Sequence, residues 1–148
     1  MKILFICTGN TCRSPMAAAL LNKIAVDNEL DVTAVSAGIF AENGSPASKN
    51  AILAMKEYDI DLSQHRSKTI TDELVSEADL VLTMTEGHKM LTAGMAPDKT
   101  YTICEFAGYE GDISDPYGGS LSDYRDSATM IYDCLTEIAE KLVDIYGL

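Results

Sequence analysis

The chain has 148 residues, 47% of them hydrophobic, which suits one domain spanning 1–148 around one core and excludes a disordered segment. Lys and Arg number 11 against 23 Asp and Glu, a net charge of −12. Such a chain repels phosphate backbones and anionic lipid, so neither nucleic acid nor membrane is expected as a partner, and any anion site must create its own positive potential.

Lys2 is followed by the continuous apolar run Ile3–Ile6, the pattern of a parallel strand covered on both faces. The run is too short for the core of an export signal, and no stretch is long and apolar enough for a membrane span, so a cytoplasmic protein is expected. The strand ends in loop chemistry, Cys7-Thr8-Gly9-Asn10. Ser14-Pro15 reads as a helix start, Ser14 as N-cap and Pro15 at the first helical position, with Met16, Leu20, Leu21 and Ile24 at helical spacing behind it. Val32–Ala37 reads as a second strand closed by Gly38, and Ser48 as the cap of a helix through Ala51, Ile52 and Met55. Asp79–Met84 reads as a third strand, Glu86–Met95 as a helix and Thr100–Ile103 as a short strand. Gly108–Gly119 is a long loop. From Ser122 the stripe Tyr124, Ala128, Ile131, Leu135, Ile138, Leu142, Ile145 predicts a long amphipathic helix. Strands alternating with helices predict an α/β fold with a parallel sheet, whose ligands bind beyond the carboxyl ends of the strands.

The loop Cys7-Thr8-Gly9-Asn10-Thr11-Cys12-Arg13-Ser14 begins at such an end. Backbone N–H groups in a tight loop entering a helix converge into an anion nest, and the helix dipole adds to it. Arg13 supplies a planar fork for two phosphoryl oxygens. The same field is expected to hold Cys7 as a thiolate with its pKa below the ordinary value of about 8.5, with Ser14 donating to the sulfur. No metal or other cofactor is required, and none is expected: His65 and His88 lie outside metal-ligand spacing, and the four cysteines at 7, 12, 104 and 134 form no Cys-x-x-Cys pair. A general acid must serve the leaving group, and Asp115-Pro116 in the long loop is the candidate. Asp-Pro is also a common turn pair, and spacing alone leaves both readings of Asp115 open.

The nine residues Cys7–Pro15, together with Ser36-Ala37-Gly38, His65-Arg66-Ser67 and Asp115-Pro116 in that order, resemble the low-molecular-weight protein phosphatase family over essentially the whole length. The resemblance implies a three-layer, doubly wound, four-stranded parallel sheet in the order 2-1-3-4. It implies that Cys7 attacks phosphorus and forms a phosphocysteine, that Arg13 holds the equatorial oxygens, and that Asp115 protonates the leaving group and then activates water. Thr8, Gly9, Asn10, Thr11, Cys12 and Ser14 would form or support the phosphate loop, with Ser36 and His65 behind it. Phosphorylated proteins would be the substrates and inorganic phosphate the product.

Thr11, where tyrosine-specific members usually carry a bulky aliphatic residue, and Gly118-Gly119, where they usually carry an aromatic pair, are similar to the branch that acts on phosphoarginine. Phe40 is similar to it as well. Thr11, Phe40 and Tyr117 are the expected pocket residues. Phosphotyrosine remains the alternative substrate. An arsenate reductase on the same fold, or a non-catalytic phosphate-binding module, are the more distant readings. Cys104 and Cys134 read as packing residues rather than a disulfide relay. Cys12, five positions from Cys7, is a candidate for a protective disulfide with it.

Overall fold

A computed structural model describes all residues 1–148. Strand β1 (Lys2–Cys7) runs into α1 (Arg13–Asp27), then β2 (Thr33–Gly38) and α2 (Lys49–Lys56). Next come α3 (Asp72–Glu77), β3 (Leu80–Thr83), α4 (Glu86–Thr92), β4 (Thr100–Thr102), α5 (Ile103–Ala107) and α6 (Leu121–Tyr146). The four strands form one parallel sheet in the order β2-β1-β3-β4, as the family resemblance implies.

The apolar run of β1 serves both faces. Ile3, Phe5 and Cys7 join the larger core under α1, α2, α5 and α6. Leu4 and Ile6 join a smaller one with Val75 of α3, Val81 and Ala96. Each fully buried Leu, Ile or Phe of this strand contributes about 1.5–3 kcal/mol. The central position of β1 and the burial of both its faces fix the point where Cys7 leaves the sheet.

Three expectations need correction. Helix α1 starts at Arg13 with Cys12 as the cap residue, so Pro15 is its third residue rather than its first and Ser14 is not the N-cap. Pro15 costs no hydrogen bond there, because the first four N–H groups of a helix have no intrahelical partner. The Ser14 hydroxyl is thereby free to turn toward Cys7. The stripe of α6 ends at Leu142: Ile145 is 61% exposed. This helix begins at Leu121, with Ser120 and Asp123 forming a reciprocal capping box. Finally, α3 and α5 were not foreseen. No helix of the structure is long and apolar enough to cross a membrane.

Candidate active site

The loop between β1 and α1 is shaped by a polar buttress. Asn10 takes a left-handed backbone conformation (φ 57°), which asparagine tolerates better than most residues, and is fully buried. Its Nδ2 donates to Ser14 Oγ at 2.8 Å and Ser36 Oγ at 2.9 Å, and its Oδ1 accepts from the Lys68 N–H at 3.0 Å. Its carbonyl receives His65 Nε2 at 2.7 Å. Burial pushes the pKa of His65 below its ordinary value, so the ring is neutral at neutral pH. Gly38 closes the cradle from β2. A Cβ there would sit 2.5 Å from the Thr8 carbonyl and 2.9 Å from the Asn10 nitrogen, so no side chain fits.

Cys7 is 3% exposed and its Sγ lies 2.8 Å from Ser14 Oγ. Burial pushes the thiol up from its ordinary value. The Ser14 hydroxyl, the backbone N–H groups of Ser14 and Asn10, and the Arg13 charge pull it down, but only in part. The expectation of a lowered pKa in the free loop is therefore corrected: it counted the donors and omitted the burial.

Arg13 is 4% exposed. Its Nη1 donates to the Ile113 carbonyl at 2.9 Å, and its Nη2 lies 3.6 Å from Asp115 Oδ2. The guanidinium is thus anchored on one edge by the loop that also carries Asp115. Asp115 is half exposed at the mouth, and its Oδ1 accepts the Tyr117 N–H at 3.1 Å, an Asx turn that aims the carboxylate. Gly119 closes this turn onto the Pro116 carbonyl, and any Cβ there would strike Asp123 of α6. Turn geometry therefore demands Gly119 whatever the substrate.

Cys7, Thr8, Gly9, Thr11, Cys12, Arg13, Asp115, Phe40 and Tyr117 line one pocket of about 400 Å³. Asn10, Ser14, Ser36 and His65 stand behind the loop. Phe40 and Tyr117 are 75% and 76% exposed at the rim. Glu42 and Ser45 line the same pocket and were missed from the sequence, although they follow Phe40 closely. The buried Ser67 pins their segment, donating from Oγ to the Glu42 carbonyl and accepting from the Ser45 N–H at 3.0 Å. Also missed were Ser48 and Tyr124, whose hydroxyls lie 3.0 and 3.3 Å from Cys12 Sγ. A disulfide from Cys12 to Cys7 has to give up both. Cys104 and Cys134 are fully buried, in α5 and α6, and outside the pocket lining. The packing role read for them fits that placement.

A buried thiol on the floor of an anion nest, an anchored arginine and a carboxyl at the mouth can accept, hold and protonate around a phosphoryl group. Fold and pocket together define a protein phosphatase of the cysteine-dependent, metal-independent kind. The chain belongs to the low molecular weight phosphotyrosine protein phosphatase family, whose model matches residues 2–144. A protein-arginine-phosphatase of Bacillus subtilis is 43% identical, with 96% of this chain and 97% of that protein covered. The crystal structure of a low molecular weight protein tyrosine phosphatase from T. tengcongensis superposes with a TM-score of 0.93 at 45% identity, covering 96% of this chain and 99% of that one. YwlE arginine phosphatase, in a cysteine-to-serine variant with a phosphorylated active-site serine, superposes with a TM-score of 0.94 at 42% identity, covering 98% and 97%.

Proposed function

We propose that this chain, acting as one domain, removes phosphate from phosphoarginine in proteins. Cys7 Sγ, having given its proton to solvent, attacks phosphorus as the thiolate, and the S–P bond forms as the bond to the leaving nitrogen breaks. Asp115, as the acid, gives that nitrogen its proton. Arg13 and the loop N–H groups carry the charge on the equatorial oxygens. Water then attacks the phosphocysteine and passes its proton to the Asp115 carboxylate. The S–P bond breaks, and inorganic phosphate leaves. Asn10, Ser14, Ser36 and His65 keep the loop in shape throughout.

One observation carries the choice of substrate. The phosphate loop's pocket also holds the Thr11 hydroxyl and two carboxylates, Asp115 and Glu42. A planar cationic guanidinium finds hydrogen-bond and charge partners there that a phenyl ring cannot use. The arginine-phosphatase names of the relatives at 43 and 44% identity support the same reading. The exposed rings of Phe40 and Tyr117 can flank a phenyl group as well as a guanidinium, so they do not separate phosphoarginine from the alternative, phosphotyrosine. Four free cysteines suit a reducing, cytoplasmic compartment.

The test is kcat/KM on matched phosphoarginine and phosphotyrosine peptides, for the wild type and for Thr11→Ile. The wild type is expected to prefer phosphoarginine. The variant loses one polar contact, worth about 1 kcal/mol, and its wall becomes apolar, so the ratio falls by several-fold to tenfold. A wild type that prefers phosphotyrosine, or a ratio that Thr11→Ile leaves in place, overturns the arginine reading.

A further inference from the structure

His88 of α4 lies outside the loop and its buttress, yet its Nε2 stands 2.8 Å from Thr8 Oγ1 at the pocket wall. The residue is 8% exposed. Its Nδ1 is buried with no hydrogen-bond partner, the one side-chain nitrogen or oxygen in the protein so placed. The backbone fixes the ring's origin: Thr85 caps α4, its Oγ1 accepting the His88 N–H at 3.1 Å. Burial and then the positive charge of Arg13 hold His88 down to about 4, against the opposing pull of Asp115 and Asp112, so the ring is neutral at working pH.

A neutral imidazole has one N–H, and the two tautomers differ here in consequence. With the proton on Nδ1, a buried donor is orphaned and Thr8 must spend its own hydroxyl proton on Nε2. With the proton on Nε2, only an acceptor lone pair is orphaned, the milder defect of the two. The Thr8 oxygen is then filled by a donor on its His88 side, and its O–H points elsewhere. Thr8 is exposed and lines the pocket beside Cys7 and Gly9, so its O–H is free to turn toward the phosphoryl site.

We propose that His88 is a positioning residue: protonated on Nε2, it donates to Thr8 Oγ1 and turns the Thr8 hydroxyl into a hydrogen-bond donor aimed at the bound phosphoryl group. The opposite tautomer presents that group with oxygen lone pairs, which repel it. Donation to a charged oxygen is worth about tenfold in binding or rate. This inference rests on the phosphatase reading and extends it to a residue that the fold brings in from the third strand's crossover.

The first measurement needs no substrate: long-range ¹H–¹⁵N correlation spectra of the free wild type, with the two histidines assigned through His88→Gln. The expected pattern for His88 is the Nε2–H tautomer; an Nδ1–H tautomer overturns the proposal. The second is kinetic, with p-nitrophenyl phosphate as substrate and inorganic phosphate as inhibitor. Thr8→Val and His88→Phe are each expected to lower kcat/KM about tenfold and to weaken phosphate inhibition similarly. The double variant is expected to be no worse than either single one, and Thr8→Ser to recover most of the loss. Additive losses, or a Thr8→Val enzyme with wild-type kcat/KM, overturn it. The spectra and Thr8→Val decide the matter even if His88→Phe does not fold. A failure here with Cys7→Ser still inactive leaves the phosphatase reading standing, whereas an active Cys7→Ser enzyme removes that reading instead.

Discussion

Asn10 lies behind the pocket wall, yet the phosphate loop hangs on it: four hydrogen bonds tie it to Ser14, Ser36, Lys68 and His65. Ser14 stands between this buttress and the nucleophile, receiving Asn10 Nδ2 while its own hydroxyl faces the Cys7 sulfur at 2.8 Å. Because burial drives the Cys7 thiol up, and the Ser14 hydroxyl is the largest influence driving it back down, Ser14→Ala acts mainly on that balance. The expected result is a rise in the thiol's apparent pKa, read as an upward shift of the pH profile of iodoacetamide inactivation. kcat at pH 6 should fall by about tenfold, the worth of one hydrogen bond to a charged group. An unchanged alkylation profile contradicts that role for Ser14.

At the scale of elements, the site is the meeting of one strand end with three loops, each anchored by its own device. Strand β2 delivers Gly38 against Thr8 and Asn10, Ser67 pins the segment of Glu42 and Ser45, and the Asx turn at Asp115 ends at Gly119. Gly38→Ala places a methyl group 2.5 Å from the Thr8 carbonyl, so the loop itself has to move. A loss of more than tenfold in kcat/KM and about 1–3 kcal/mol in urea denaturation is expected; wild-type values in both contradict the close packing. The strand β1, the loop, Gly38 and the α6 stripe were legible because continuous burial, turn chemistry and helical period mark them directly. The start of α1 was misread by two residues because Ser-Pro mimics a cap, while Ser14 here serves the sulfur. Helices α3 and α5, of six and five residues, are too short to show a period. His88, Glu42 and Tyr124 join the site only through tertiary contacts, which no local pattern marks.

Over the whole molecule the net charge of −12 makes the anion site a local exception, built from dipoles and one buried arginine. The two histidines that support it, one directly and one through Thr8, both have folded pKa values below the ordinary 6.5. The unfolded chain therefore binds protons that the folded one refuses, and stability is complete above about pH 6.5 and is lost as pH falls toward about 4. His88, with Arg13, Asp115 and Asp112 around it, accounts for up to about 3 kcal/mol of that loss. Urea midpoints across this window are expected to fall with pH in the wild type and less steeply in His88→Gln; parallel curves contradict the assignment. The central claim, that the phosphoryl group passes through Cys7, is tested most directly by acid quench of Asp115→Asn during turnover of p-nitrophenyl phosphate, followed by mass mapping of the peptides. The result predicted is one phosphoryl group on the peptide that holds Cys7, absent in Cys7→Ala. Turnover with no phosphoenzyme, or phosphate mapped to another residue, contradicts the account.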